Sequence, residues 1–202
     1  MGYNGVMEVL ELSKPLEKMN RRYTYQDYLA WDDQERWELI EGIPSNMTPS
    51  PSPEHQRISG ELFFQLRSYL HGKEFQVFFA PFDLRLAELN ESEDLSSNVV
   101  QPDLLVICDP SKIDERGCKG APDFIIEILS PATAKKDITV KLRLYERFQV
   151  KEYWIVDPAN QYVQVYLLKD GNYSSPVIYS REEQIPVQLF SDLTIELSQI
   201  FP

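Results

Sequence analysis

Two cysteines, two histidines and no long apolar run are what this sequence has least of. Cys108 and Cys118 sit in no metal-ligand pattern, which excludes a zinc module, and a pair so sparse fits free thiols in a reducing compartment rather than a disulfide framework. No apolar stretch reaches membrane-spanning length and no apolar leader opens the chain, so the expectation is a cytoplasmic protein. There is no Gly-x-Ser-x-Gly, no Cys–His set, no phosphate-cradling glycine loop and no dinucleotide glycine signature, which leaves covalent acyl chemistry and nucleotide cofactors without their usual residues. Internal repeats and domain-scale linkers are absent as well. With 202 residues, 43% of them hydrophobic, a single domain with a substantial core is expected. Basic residues are scarce: 20 against 32 acidic, a formal net charge of -12 and a pI near 4.6. Phosphate contacts normally supply much of nucleic-acid affinity, so this balance weighs against a nucleic-acid binder. Between 135 and 151 the balance reverses, with Lys135, Lys136, Lys141, Arg143, Arg147 and Lys151 against Asp137 and Glu146.

What the chain does have is concentrated between 101 and 158. Two Val/Ile/Leu-rich runs bounded by proline and glycine read as buried strands: Pro102-Asp103-Leu104-Leu105-Val106-Ile107 and Pro122-Asp123-Phe124-Ile125-Ile126-Glu127-Ile128-Leu129. A carboxylate in such a run is costly unless paired, hydrogen-bonded or metal-bound. If the runs pair, Asp103 and Glu127 converge near one end of the sheet, and two hard oxygen donors with positions left for water suit Mg²⁺ or Mn²⁺. A helix expected over 132–148 carries Asp137, Lys141 and Tyr145 at i, i+4, i+8, so Lys141 offers a compact positive charge to the same place. A strand-end Asp, a salt-bridged Glu and a surface Lys are the bland alternative.

Taken in order, Pro102-Asp103, Glu127-Ile128-Leu129-Ser130-Pro131, Asp137 with Lys141 and Tyr145, and Glu152-Tyr153-Trp154-Ile155-Val156-Asp157-Pro158 resemble the Uma2 family of endonucleases. That family looks like a branch of the PD-(D/E)XK nuclease superfamily. Trp37-Glu38-Leu39-Ile40-Glu41-Gly42, Ser52-Pro53 with His55, and Phe82-Asp83-Leu84-Arg85-Leu86 also match family positions, so the resemblance extends from Tyr23 onward. It implies an α/β chain, more closely an α+β mixed sheet flanked by helices on a restriction-endonuclease-like core. Residues 1–22 would be an extension and 23–202 one nuclease domain. It implies metal-dependent hydrolysis of DNA phosphodiester bonds, with Asp103, Glu127 and the backbone carbonyl of Ile128 holding Mg²⁺ or Mn²⁺ and Lys141 stabilising developing charge. A homodimer is the expectation for an enzyme that cuts both strands. The superfamily pattern places a lysine two residues after the glutamate, where this chain has Leu129. The resemblance moves that role to Lys141, with Lys135 and Lys136 as alternatives.

Other candidates carry two readings each. Glu38 is either a helper at the metal or a solvent-facing strand residue. His55 is a rim residue able to touch phosphate or a structural helix-start histidine; His71, beside Gly72, suits a helix end. Asp83 is a third metal-side carboxylate or the partner of Arg85 on one strand face. Asp137 orients Lys141 or forms a surface pair with it, and Tyr145 is core or a phosphate-contacting hydroxyl. Tyr153 and Trp154 alternate, so one is expected inside and the other toward a partner or the site. The rival function is a catalytically inactive nuclease-fold module that binds protein or nucleic acid.

Along the chain, an arm is expected near 6–12, then a short helix from Thr24 to Trp31, a break at Asp32-Asp33-Gln34 and a strand over 37–43. A Pro/Ser loop precedes a long helix from Ser52-Pro53 to about Leu70. Strands follow over 74–80 and 82–87, then two polar loops over 88–98 (near the site entrance) and 109–120. After the carboxylate stretch come a strand over 162–168, a hairpin turn at Lys169-Asp170-Gly171-Asn172, its partner to 180, and a last strand over 193–197 with Ile200 and Phe201 as an anchor.

Overall fold

A computed structural model describes residues 21–31, 35–47, 50–88 and 90–201; the arm expected near 6–12 and the break at 32–34 lie outside them. Helix α1 (Tyr25–Leu29) is opened by a capping box in which Thr24 and Asp27 satisfy each other's backbone N–H. Strands β1 (Trp37–Ile40) and β2 (Ile43–Asn46) form a hairpin rather than the single strand expected over 37–43. Glu41 at φ 51 and Gly42 at φ 74 are the reason: two consecutive left-handed residues reverse the chain. Helix α2 (Pro53–Leu70) begins where expected, with Ser52 accepting the His55 N–H and proline in the first turn, and stops at Gly72, φ 79.

Next come β3 (Gln76–Phe79), β4 (Leu84–Arg85), β5 (Val99–Val100) and β6 (Leu104–Ile107), then β7 (Ile113–Asp114), β8 (Gly117–Lys119) and β9 (Phe124–Ile128). The polar segment 109–120 is thus a hairpin, not a loop; its strands are too short to carry an apolar pattern. The helix expected over 132–148 is instead a π-helical turn, Lys136–Lys141, running into α3 (Leu142–Arg147). Then follow β10 (Glu152–Asp157), β11 (Tyr162–Lys169), β12 (Asn172–Tyr173), β13 (Val177–Ser180), β14 (Gln184–Pro186), β15 (Thr194–Glu196) and α4 (Leu197–Ile200). The turn at Asp170 and Gly171 pairs Lys169 with Asn172 as the sequence implies.

The principal sheet runs β12-β11-β10-β9-β6-β3, with β13 also on β11; a second runs β2-β1-β5-β4-β8-β7. β9 and β10 are parallel and β6 and β9 antiparallel, so the fold is α+β with a mixed sheet. Both faces of the principal sheet are covered. Leu104, Val106, Phe124, Ile126, Ile128, Trp154 and Val156 pack against Ile58, Leu62, Leu66 and Leu70 of α2 and the C-terminal residues, Ile200 and Phe201 included. Burying each such side chain is worth roughly 1.5–3 kcal/mol. Leu105, Ile107, Ile125, Tyr153 and Ile155 face the other way, onto Leu144 and Tyr145 of α3 and onto Leu84, Val100 and Cys118 of the second sheet. Tyr153 and Trp154 do alternate, but both are buried, because neither sheet face meets solvent there. Ser96 and Asn98, in the segment expected at the site entrance, are instead buried and bonded to the Leu86 carbonyl. Among the described residues no helix is long and apolar enough to cross a membrane, and both cysteines are free.

Candidate active site

β6 and β9 pair with Leu104 opposite Ile126. Continuing that register by one residue sets Asp103 across from Glu127, and the two-residue side-chain period puts both on the α3 face. The contacts agree. Asp103 Oδ2 accepts the Ile128 N–H at 2.8 Å, and Asp103 N lies 3.4 Å from Glu127 Oε2. The first turn of α2 brings His55 Nε2 to 3.1 Å from Asp103 Oδ2. From the other side the π-helical turn delivers Lys141, whose Nζ is 2.8 Å from Glu127 Oε1. Tyr145 of α3 donates its hydroxyl to the same oxygen at 2.7 Å.

Glu38 joins this group from β1. Its Oε1 is 2.8 Å from Lys141 Nζ and 3.1 Å from the Gln101 N–H, and its Oε2 is 2.5 Å from Lys136 Nζ. Asp137 Oδ1 lies 3.7 Å from Lys141 Nζ and has no hydrogen-bond donor although it is buried. Tyr153 holds the turn in place by donating to the Asp137 carbonyl at 3.1 Å. The group lies at the base of a cleft of about 1230 Å³ lined by the start of α2, the 130–134 segment, the π-helical turn and Asp157 to Asn160.

Four carboxylates thus meet two lysines, and the electrostatics follow. Burial alone would raise Glu38, but Lys141 and Lys136 hold it down to about 2. Burial pushes Glu127 up to about 8; Lys141 pulls it down while Asp137, Asp103 and Glu38 push it further up. Burial likewise raises Asp137. Against its own burial, Lys141 is held well above the ordinary lysine value by Glu127, Glu38 and Asp137. His55 is raised against its burial by the hydrogen bond and charge of Asp103. The side of the group formed by Asp103, Glu127 and Asp137 is therefore short of positive charge.

Hard oxygen donors, a deficit of cation and an orphaned Asp137 oxygen fit a divalent ion such as Mg²⁺ or Mn²⁺. Among the described residues no three His, Cys, Asp or Glu side chains are grouped as a metal-holding set. An ion here would rest on Asp103, Glu127 and the carbonyl of Ile128.

The structure brings Asp103, Glu127, Lys141, Glu38, His55, Asp137 and Tyr145 together. It leaves Asp83 outside: its Oδ1 accepts from Gln101 Nε2 at 2.8 Å and from the Tyr28 hydroxyl at 3.3 Å. Nor does Asp83 pair with Arg85, whose guanidinium is bound by Asp114 at 2.7 Å, across the hairpin the sequence reading took for a loop. Of the three lysines, Lys141 reaches both Glu127 and Glu38, Lys136 reaches Glu38 alone, and Lys135 is exposed. Gln101 escaped notice: its backbone serves Glu38, and its side chain also accepts from Arg36 at 2.7 Å. An uncharged residue before a Pro-Asp gives no compositional signal. Tyr153, which fixes Asp137 from behind, was noticed only as an alternating aromatic.

The overall structure is similar to the crystal structure described as "a putative nuclease belonging to DUF820" from Anabaena variabilis, with a TM-score of 0.70 over 89% of this chain and 97% of that one at 23% identity. The class is therefore that of the nuclease-like α+β folds, with a mixed sheet as its centre. A family model, Uma2, described as "Putative restriction endonuclease", matches residues 25–198, and the chain belongs to that family. An uncharacterized protein of Synechocystis sp., slr1290, is 26% identical over 148 residues, covering 72% of this chain and 74% of its own length.

Proposed function

We propose that this chain is an endonuclease that hydrolyses DNA phosphodiester bonds with Mg²⁺ or Mn²⁺ bound between Asp103, Glu127 and the Ile128 carbonyl. The observation that carries the reading is the meeting of Asp103 and Glu127 at one sheet end with Lys141 Nζ 2.8 Å from Glu127. When bound, the ion supplies a Lewis acid for the scissile phosphate and a water of lowered pKa. The chain's own groups do the rest. Asp103 is oriented by His55 and by the Ile128 N–H, and Glu127 by Tyr145 and Lys141. Lys141, kept protonated by its carboxylate neighbours, offers positive charge to the phosphate as it becomes more negative. No covalent nucleophile takes part; positioning and electrostatics supply the acceleration.

The acidity of the chain sets the mode of binding. Much of the basic stretch at 135–151 is spent on internal partners: Lys136 and Lys141 on Glu38, Arg147 on Glu41 and Lys151 on Asp123. Capture of DNA is accordingly weak and salt-sensitive. In this reading the protein is cytoplasmic and works as a homodimer, which sedimentation tests directly. The net charge of -12 is also the observation that favours the rival, a catalytically inactive module. Plasmid, single-stranded DNA and RNA incubated with Mg²⁺ or Mn²⁺ separate the two. Metal-dependent cleavage of DNA that is lost in Asp103→Ala and Glu127→Ala supports the enzyme. Calorimetric ion binding without cleavage of any of the three supports the module.

A further inference from the structure

We propose that Glu38 is a positioning residue: it fixes Lys141 for the phosphate and takes no part in holding the ion. This rests on the nuclease reading above and assigns the one carboxylate of the group that sits on the second sheet.

Both oxygens of Glu38 are already engaged. Oε1 receives Lys141 Nζ at 2.8 Å and the Gln101 N–H at 3.1 Å, and Oε2 receives Lys136 Nζ at 2.5 Å. The side chain is fully buried, so it cannot turn to another partner without abandoning two ammonium groups. The acids of the principal sheet differ. Asp103 spends Oδ2 on Ile128 and His55, and Glu127 spends Oε1 on Lys141 and Tyr145. Asp103 Oδ1 and Glu127 Oε2, the latter met by the Asp103 N–H only at 3.4 Å, keep capacity for a cation.

An ammonium carries three N–H groups on a flexible four-carbon stem. Glu127 and Glu38 accept two of them, one from each sheet, which removes the freedom of the stem. Asp137, at 3.7 Å, lies beyond hydrogen-bond distance, so the third N–H stays available for a phosphate oxygen. Without Glu38, Lys141 would be anchored to Glu127 alone and free to swing about that contact. Lys136, whose side chain is 22% exposed, closes the other oxygen of Glu38 from the cleft side.

Calorimetric titration of Mn²⁺ into wild type, Glu38→Gln and Asp103→Asn tests this. Each variant removes one negative charge from the same group, so the difference between them isolates ligation from general electrostatics. The expected result is an affinity within about fivefold of wild type for Glu38→Gln and at least tenfold weaker binding than that for Asp103→Asn, with kcat on plasmid DNA falling 100-fold or more in Glu38→Gln at little change in KM. In the metal-free protein, Glu38→Gln combined with Lys141→Met should shift the unfolding equilibrium constant at least tenfold less than the product of the two single shifts. If Glu38→Gln does not fold, Glu38→Asp keeps the charge but withdraws the carboxylate by one methylene, and should lose turnover with Mn²⁺ affinity unchanged. Mn²⁺ affinity that falls as far in Glu38→Gln (or in Glu38→Asp) as in Asp103→Asn overturns the assignment while leaving the nuclease reading intact, as does additivity in the unfolding cycle. Wild type that binds no Mn²⁺ overturns both.

Discussion

Replacing Lys141 with methionine removes the one group that three buried carboxylates share. Its Nζ is 2.8 Å from Glu127, 2.8 Å from Glu38 and 3.7 Å from Asp137, with Glu127, Glu38 and Lys141 all buried. At an effective dielectric constant of roughly 20, two unit charges 2.8 Å apart attract by about 6 kcal/mol before desolvation is subtracted. Most of that is offset by the cost of burying the ions, so the intact cluster adds little net stability. Removing one partner is different, because Glu127 and Asp137 then lose their ammonium and Glu38 keeps Lys136 alone, and breaking such a buried pair costs roughly 3–5 kcal/mol. Against a total stability of about 5–15 kcal/mol, that is a large fraction. With a urea slope of about 2–3 kcal/mol/M, the unfolding midpoint of Lys141→Met should fall by about 1.5 M. The assay is urea unfolding followed by tryptophan fluorescence at neutral pH in a chelator, so that no divalent ion stands in for the ammonium. Adding Glu38→Gln to Lys141→Met should recover a good part of the loss, since the carboxylate that the lysines hold in its charged form then leaves with one of them. A Lys141→Met midpoint within about 0.3 M of wild type, or no recovery in the double variant, would show that the cluster is not held by charge as argued.

Four further outcomes follow from individual contacts. Mn²⁺ at 100 times its wild-type dissociation constant should stabilise the chelator-stripped protein by about 2.7 kcal/mol in thermal or urea unfolding, and Asp103→Asn should cut that gain to about 1.4 kcal/mol or less. Gly117 has φ 118, and a Cβ there would sit 2.2 Å from the carbonyl oxygen of Asp83, the residue just before β4, so Gly117→Ala should cost more than about 3 kcal/mol and be read as loss of soluble folded protein. Glu152 is buried and accepts from Trp154 Nε1 at 2.8 Å and from the Leu189 and Gln188 N–H groups at 3.1 and 3.3 Å, so Glu152→Ala leaves three donors unpaired and should cost about 3 kcal/mol, measured by urea unfolding. Burial opposes it, but the 2.7 Å contact to Lys151 and the 2.8 Å bond from the Cys108 N–H hold Asp123 below the usual carboxylate range. A depressed folded-state pKa contributes stability above the unfolded value and loses it as pH falls through the folded one, so Asp123→Asn should cost about 1–2 kcal/mol at neutral pH and flatten the acid limb of a melting-temperature profile.

Asp103 and Glu127 were legible because each interrupts an apolar run, and two buried strands that pair leave their acids few places to go. Lys141 was legible from its spacing to Asp137 and Tyr145, although the turn that carries it is π-helical and not the regular helix that spacing implied. The long helix was readable from Ser52-Pro53 and the four-residue recurrence of Ile58, Leu62, Leu66 and Leu70, all buried. The second sheet was hardly readable. β4, β5 and β7 are two residues each, too short for a hydrophobic period, and their pairing depends on Gly117 and on the Arg85–Asp114 contact across 29 positions. That gap explains the misplacement of Asp83, whose partners Tyr28 and Gln101 are 55 and 18 residues away. It also explains why Glu38 carried two readings, a helper at the metal and a solvent-facing strand residue: nothing local to β1 announces that it is buried against two lysines of a distant turn.

Leu129, two places after Glu127 and just past β9, is apolar and packs beside the α3-face core, and the ammonium that meets Glu127 comes from 14 positions downstream. A search for relatives written as a fixed interval along one strand therefore passes over this chain. A pattern that asks instead for a carboxylate oxygen and an amine nitrogen within hydrogen-bond distance in space, wherever the nitrogen lies along the polypeptide, takes it in.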